Sequence, residues 1–271
     1  MKKQLFVTTF CSLLLAGYGC SSPQANDALQ DLTQYVDPYI GSGGHGHVFV
    51  GANVPYGLVQ LGPSSIPQEW DWTSGYHISD STVIGFPHMH LSGTGIGDLH
   101  DITLMPVVGE VTYARGVESD QNSGLWSYSD RSKEVVKPGY YATHLLRYDV
   151  DVELTATKRV GFHKYTFNQK ENAAVVFDLQ NGGCWDSPTK AYINKVDDKT
   201  IEGYRYSSGW ANDQRVFFVA EFSEPITSLD VIVDRGEAVA DKGEGKIVYA
   251  RANVDAQKPV YVKVALSPTS I

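Results

Sequence analysis

Histidine is unevenly distributed along this 271-residue chain, and its distribution is the first sign of a functional site. Six of the eight histidines lie between His45 and His100. Two pairs in this region have a single residue between their members: His45 with His47, and His88 with His90. On a β-strand this spacing directs both imidazoles of a pair to the same side of the sheet. We therefore expect each pair to face one surface together.

Carboxylates lie next to the last histidine of this group, since Asp98 and Asp101 flank His100. Imidazoles and carboxylates placed in this way are common metal ligands. The same side chains also hydrogen-bond loop backbone and sugar hydroxyls. Three interpretations are therefore open from the spacing alone: hydrogen bonding within loops, contact with a sugar, and a protein-bound metal.

Tryptophans beside acidic residues indicate a surface for sugar rings. Trp70 and Trp72 alternate with Glu69 and Asp71. A flat indole packs against the axial hydrogens of a pyranose, and neighbouring acceptors bind its hydroxyls. If this segment is a strand, both indoles face the same way. The alternative is a half-buried pair that packs on the core.

A third aromatic candidate follows a glycine turn. The segment Asn181–Cys184 ends an apolar run and precedes Trp185. We expect either that it presents Trp185 to a ligand or that it is an ordinary turn covered by the aromatic ring. Cys184 has no histidine or other base nearby in sequence, so a nucleophilic thiol is not supported.

Composition excludes two other classes of function. The glycine-rich segments 41–44 and 93–97 have neither the Lys-Ser/Thr ending of a P-loop nor the strand–turn–helix context of a dinucleotide site, so we interpret them as tight turns. The formal net charge of -9 repels phosphate backbones, so no nucleic-acid partner is expected. Neutral sugars are not repelled.

The elements that must position these residues are strands. Two runs alternate clearly between apolar and other residues, Val216 to Phe222 and Val260 to Leu266, and turn signals separate the runs after Pro138. Between Tyr35 and Pro106 we expect short strands joined by long ordered loops. The fold class is therefore all-β, a β-sandwich. The predicted strands are Tyr140 to Tyr148, Val160 to Phe167, Ala173 to Leu179, Thr200 to Tyr206, Val216 to Phe222, Ile226 to Val233, Ile247 to Ala250 and Val260 to Leu266.

The N-terminus has the pattern of an export signal. Lys2 and Lys3 precede a short apolar run, and small residues precede Cys20. We expect residues 1–20 to be a signal peptide of the lipoprotein type, with lipidation of Cys20 anchoring the protein to the outer membrane or holding it in the periplasm; an ordinary signal peptide is the alternative. Residues 21–34 are predicted to be a tether, and 35–271 the sandwich, whose single cysteine permits no intrachain disulfide.

Several segments in order resemble glycoside hydrolase family 92, a family of bacterial α-mannosidases. The resemblance covers Tyr35 to Pro268 and corresponds to the N-terminal domain of that family. The segments that carry it are Val36 to His47, Pro55 to Leu61, Ser74 to His77, Gly85 to Gly95, Gly97 to Pro106, Ala156 to His163, Gly203 to Arg205 and Gly209 to Ala211.

The resemblance implies a calcium-dependent inverting α-mannosidase that acts on mannose-containing oligosaccharides or N-glycans. It implies a β-sandwich followed by a C-terminal (α/α)6 barrel, and we expect this chain to stop before that barrel. The catalytic acid and base and most calcium contacts would belong to the barrel, so no catalytic residue and no metal ligand is assigned here.

The sandwich is then expected to form one wall of the substrate pocket. Its predicted substrate-binding residues are Trp70, Trp72, His45, His47, His88, His90, Asp98 and Trp185. The alternative function is a stand-alone carbohydrate-binding β-sandwich, or an inactive fragment.

Overall fold

The computed structural model describes residues 31–182 and 185–271. The predicted signal peptide, Cys20, most of the predicted tether and Cys184 lie outside the described residues. The chain divides into two units, Met1–Gln34 and Tyr35–Ile271, and the sheets lie in the second. None of the described helical segments is long or apolar enough to cross a membrane.

The described residues fold mainly into β-strands, with a few short 3-10 segments. The 3-10 segments are Leu32–Tyr35, Gly44–Gly46, Trp70–Trp72 and Arg131–Lys133. The strands are β1 (Ala52–Asn53), β2 (Gln60–Leu61), β3 (Thr82–Val83), β4 (Thr103–Val108), β5 (Ser127–Tyr128), β6 (Val135–Lys137), β7 (Tyr140–Leu145), β8 (Val150–Ala156), β9 (Val160–Phe167), β10 (Ala173–Asp178), β11 (Ser187–Lys195), β12 (Thr200–Ser208), β13 (Gln214–Phe222), β14 (Ile226–Val233), β15 (Ala238–Ala240), β16 (Lys242–Gly245), β17 (Val248–Val254) and β18 (Val260–Ser267).

Two antiparallel sheets form the sandwich, which confirms the predicted fold class. The larger sheet has the order β16-β11-β12-β13-β18-β9-β8-β7-β6, and the smaller has the order β15-β14-β17-β10-β4. Aromatic rings join their inner faces: the ring centroid of Phe177 on β10 lies 5.8 Å from that of Phe218 on β13. The sheets therefore share one apolar core, as aligned sandwiches do.

Burial explains why some strands alternate and others do not. In β18 each buried residue is followed by a more exposed one, because one face meets the core and the other meets solvent. Every residue of β10 is buried, so this strand appears in the sequence as a continuous apolar run.

The strand predictions after Pro138 are largely confirmed, with four omissions. β9 and β14 have the predicted bounds, whereas β8, β11 and the short strands β15 and β16 were not predicted. The register of β11 shifts between Pro188 and Lys190, and this irregularity disrupts the period-two pattern. Before Pro106, the two-residue strands β1, β2 and β3 confirm short strands joined by long loops.

One buried carboxylate ties the N-terminal loops to the larger sheet. Glu134 accepts hydrogen bonds from the hydroxyls of Tyr39, Tyr76 and Tyr141 and pairs with Arg131. Burial and the negative charge of Glu134 raise the pKa of Tyr39 to about 12, so these hydroxyls stay protonated donors. The loops are thereby fixed against β7.

A histidine pair lies within the core beneath these loops. His88 is fully buried, and its Nδ1 lies 2.5 Å from the carbonyl oxygen of Ile102, so Nδ1 carries the proton. His163 Nε2 lies 2.9 Å from His88 Nε2 and donates to it, while Tyr165 donates its hydroxyl proton to His163 Nδ1. Both imidazoles are therefore neutral and fully paired. Gly161 makes room for the His88 ring, since a Cβ there would lie 2.5 Å from His88 Cδ2.

Candidate functional site

The first histidine pair surrounds one carboxylate at the surface. His45 lies in the 3-10 segment Gly44–Gly46, and His47 follows it in the left-handed region with φ of 53°. The predicted strand placement of this pair is therefore wrong. Asp71 nevertheless gathers the two rings, because its Oδ1 lies 2.6 Å from His45 Nδ1 and 3.3 Å from His47 Nε2. The hydrogen bond and charge of Asp71 raise the pKa of His45.

Trp70 lies against these histidines with much of its indole exposed. Its ring centroid is 4.1 Å from that of His47 and 5.6 Å from that of His45, and 52% of the residue is accessible. The indole N–H donates to the carbonyl oxygen of Gly95 at 2.9 Å. Gly95 has φ of 64°, and a Cβ there would lie 2.8 Å from the indole, so only glycine fits. The orientation of Trp70 is thus fixed by the backbone.

Trp72 faces a different environment, so the prediction that the two tryptophans share one face of a strand is wrong. Both lie on the 3-10 segment Trp70–Trp72. The indole of Trp72 stacks on His77, with centroids 4.3 Å apart, and its N–H donates to Asp80 at 2.7 Å. These contacts indicate a structural role for Trp72.

The second histidine pair is buried and does not face a common surface. His88 belongs to the core pair described above, whereas the His90 ring lies between those of Phe49 and His100. His90 is only 4% exposed, and its Nδ1 lies 2.9 Å from the Gln60 carbonyl oxygen. Burial lowers the pKa of both His88 and His90 to about 4. Both imidazoles are held at Nδ1 by backbone carbonyl oxygens, which fixes the loops from below.

Two further tryptophans are attached to the segment that follows Gly95. The backbone N–H of Trp185 donates to the Gly97 carbonyl oxygen at 3.1 Å. Asp98 is buried, and its Oδ2 accepts from the backbone N–H groups of Trp210 and Ala211 at 2.6 and 3.2 Å. Trp185 is 50% exposed and Trp210 is 74% exposed. Sequence analysis placed Trp210 in a segment that carries the family resemblance, Gly209 to Ala211, but did not predict it as a site residue.

Arg205 is the buried cation that holds this region together. Its Nη1 lies 2.6 Å from Asp101 Oδ1 and 2.9 Å from Asp186 Oδ2, and its Nε donates to the Leu179 carbonyl oxygen. Burial by itself lowers the pKa of an arginine, but the two carboxylates raise the pKa of Arg205 above its ordinary value. Sequence analysis did not single out Arg205, although it occupies an inward position in the alternating strand β12.

The backbone around Asp101 is strained. Leu99, His100 and Ile102 have φ of 74°, 56° and 53°, a region that residues other than glycine adopt uncommonly. Each such residue costs on the order of 1–3 kcal/mol and persists only where its surroundings impose it. The pairing of Asp101 with Arg205 is one such constraint.

The residues described do not form a calcium site by themselves. Calcium takes about six to eight oxygen ligands. In the ranges 31–182 and 185–271, no group of three or more His, Cys, Asp or Glu is arranged to hold a metal ion. Asp71 Oδ1 accepts from two imidazoles and Asp98 Oδ2 from two backbone amides, while the buried Asp98 Oδ1 has no partner among the described residues.

The exposed chemistry of the site suits a neutral polyhydroxylated ligand. Indole faces stack on sugar rings, while imidazoles and backbone groups exchange hydrogen bonds with hydroxyls. Three exposed indoles, those of Trp70, Trp185 and Trp210, lie in loops of the sandwich.

The family of this domain is known. The family model described as the glycosyl hydrolase family 92 N-terminal domain matches residues 35–267, and the chain belongs to that family. The fold superposes on a family GH92 alpha-mannosidase from Bacteroides thetaiotaomicron in complex with mannoimidazole, with a TM-score of 0.83 and 34% identity over 88% of this chain and 32% of that chain.

Two more distant relatives complete the comparison. A family GH92 inverting mannosidase from Bacteroides thetaiotaomicron has the same fold, with a TM-score of 0.71 and 21% identity over 88% of this chain and 32% of that chain. An uncharacterized secreted glycosidase of Arthroderma benhamiae is 28% identical over 144 residues, which are 51% of this chain and 17% of the relative. The chain thus spans about a third of the solved structures that it matches.

Proposed function

We propose that this chain is the N-terminal domain of an exported, calcium-dependent, inverting α-mannosidase that acts on mannose-containing glycans. Its loops between His45 and Asp98 would form one wall of the substrate pocket. The observation that carries the proposal is the exposed, backbone-fixed indole of Trp70 beside His45 and His47. Support comes from the relative at 34% identity, an alpha-mannosidase in complex with mannoimidazole.

The chemistry would be divided between this domain and a C-terminal catalytic domain. Inversion requires an acid and a base about 6.5–9.5 Å apart, with a water between them. We assign both, and most contacts to calcium, to the C-terminal domain. The present chain would orient the sugar on Trp70 and exclude water from that side of the ring.

Substitution Trp70→Ala in the full-length protein should lower kcat/KM for mannose release by about 5- to 150-fold. Loss of one stacking aromatic removes ~1–3 kcal/mol, by analogy with the stacking of bases on aromatic side chains. The assay measures mannose released from α-linked mannobioses in the presence of Ca²⁺. A wild-type protein that releases no mannose would contradict the proposed activity itself.

Trp72→Ala is the matched control, since it removes an indole two residues away. It should lower the melting temperature, because it deletes the contacts with His77 and Asp80, and leave kcat/KM per folded molecule unchanged. The reverse pattern, with Trp70 affecting only stability and Trp72 only kinetics, would exclude Trp70 as the sugar-contacting residue.

The second candidate function is a stand-alone carbohydrate-binding sandwich. The same exposed indoles favour it, because an exposed indole can stack on a sugar ring without any catalytic group beside it. Sequencing the gene beyond the codon for Ile271 discriminates the two: an open frame that continues into an all-helical segment supports the enzyme, and a stop codon supports the binding module.

We also propose that Cys20 is lipidated and anchors the exported protein to the outer membrane. Support comes from the short apolar run and the small residues before Cys20. Cys20→Ala should move the protein from the membrane fraction to the soluble fraction, as followed by immunoblot. Unchanged fractionation would indicate an ordinary signal peptide instead.

A further inference from the structure

Three exposed tryptophans, distant from one another in the sequence, donate hydrogen bonds to the segment from Gly95 to Asp98. Gly95 accepts from the Trp70 indole, Gly97 accepts from the Trp185 backbone, and Asp98 accepts from the Trp210 backbone. These attachment points lie within three successive residue steps, at most about 10 Å of chain. The backbones of Trp185 and Trp210 therefore attach to adjacent residues, and the Trp70 indole attaches two residues before the first of them.

Trp185 and Trp210 differ from the other tryptophans in how their indole N–H groups are used. Trp70, Trp72 and Trp126 donate their indole N–H to Gly95, Asp80 and Asp120 respectively. In the described part of the chain, the indole N–H groups of Trp185 and Trp210 have no protein acceptor. Both residues are instead fixed through their backbone amides, which leaves ring faces and indole donors available to a ligand.

The fixing of Trp210 is specific. Gly209 lets the Asp98 carboxylate approach, since a Cβ at Gly209 would lie 2.6 Å from Asp98 Oδ1. Asp98 is itself buried, so it does not move readily to accommodate a larger neighbour. Trp210 is therefore held at its backbone by a buried carboxylate, while 74% of the residue stays exposed.

We propose that Trp185 and Trp210 form a second sugar-binding subsite, distinct from the Trp70 position. This proposal rests on the proposed mannosidase function and names its substrate class: an oligomannoside longer than a disaccharide. Trp70 contacts the residue at the reacting end, and Trp185 and Trp210 stack on sugar residues further along the chain. The indole N–H groups donate to sugar hydroxyls.

The test compares long and short substrates in the full-length protein. The α-1,2-, α-1,3- and α-1,6-mannobioses are assayed first to find the linkage that the protein cleaves. The mannopentaose with that linkage is then the long substrate. For Trp210→Ala we expect kcat/KM on the pentaose to fall about tenfold, in line with the loss of one stacking aromatic, while the mannobiose value and the melting temperature change little. Trp70→Ala is the control, and it should lower kcat/KM on both substrates.

Gly209→Ala provides an independent arm, because it disturbs the Asp98 contact without removing any indole. It should reproduce the selective loss on the pentaose. The subsite is overturned if Trp210→Ala lowers kcat/KM equally on both substrates or lowers the melting temperature strongly. Either result would show that Trp210 packs against another part of the protein. Absence of mannose release from every substrate by the wild type would instead reject the underlying activity.

Discussion

Arg205→Met should lower the free energy of unfolding by about 3–5 kcal/mol, since removal of one partner from a buried ion pair leaves an uncompensated charge. Arg205 and Asp101 have no exposed side-chain surface, and the Asp186 side chain is 2% exposed. Methionine fills similar space but pairs with neither carboxylate. Chemical denaturation followed by tryptophan fluorescence measures the loss.

Arg215→Met is the matched control for this prediction. Arg215 also pairs with an aspartate, Asp213, at 2.9 Å, but both side chains are more than half exposed. Exposed pairs contribute little because water screens their charges, so this variant should unfold almost like the wild type. If the two variants lose equal stability, burial does not determine the strength of the Arg205 network. Arg205→Lys should recover only part of the loss, because lysine keeps the charge but lacks the bidentate geometry.

The domain should also lose stability as the pH falls from about 6.5 towards about 4. Burial lowers the pKa of His88 and of His90 from 6.5 to about 4. Between these values the unfolded chain binds protons that the folded chain excludes, so stability is complete above pH 6.5 and declines as the pH decreases. Each histidine accounts for roughly 3 kcal/mol, and their effects are not additive because the protonated rings repel each other.

His90→Phe tests the origin of this acid sensitivity. Phenylalanine keeps a ring between Phe49 and His100 but does not titrate, so the plot of unfolding free energy against pH should become less steep between pH 6.5 and 4. His45→Phe is the control, because it should change the dependence of the unfolding free energy on pH in the opposite direction. The pKa of His45 is raised by Asp71, so its contribution is present at low pH and is lost as the pH rises. Identical pH profiles for wild type and His90→Phe would refute the assignment to His90.

Local patterns in the sequence predicted the sandwich but not the contacts between distant segments. Strands such as β9 and β18 could be predicted because one face is buried and the side-chain period is two. The spacing of His88 and His90 resembles a ligand pair, but the role of His88 depends on His163, which is 75 residues away. A pattern of neighbouring residues cannot predict a contact between residues so far apart in the sequence.

The candidate site was predicted only in part, because it too depends on contacts between distant segments. Trp70 and its neighbouring histidines do lie together, although Trp70 and His45 are on 3-10 segments and His47 follows one, rather than on strands. A two-residue spacing has the same appearance in an extended strand and in a tight turn, so it did not separate Trp70 from Trp72. Arg205 could have been identified from the phase of β12, because a charged residue at an inward position requires buried partners.

The left-handed residues on either side of Asp101 have a thermodynamic consequence for recognition. Their strain is borne by the folded domain before any ligand arrives, so little backbone ordering remains to oppose binding. A preorganised surface gains affinity in this way but adapts poorly to ligands of a different shape. For the proposed subsite, we expect sugar stereoisomers to differ in affinity because of their shape, with most of that difference in the dissociation rates.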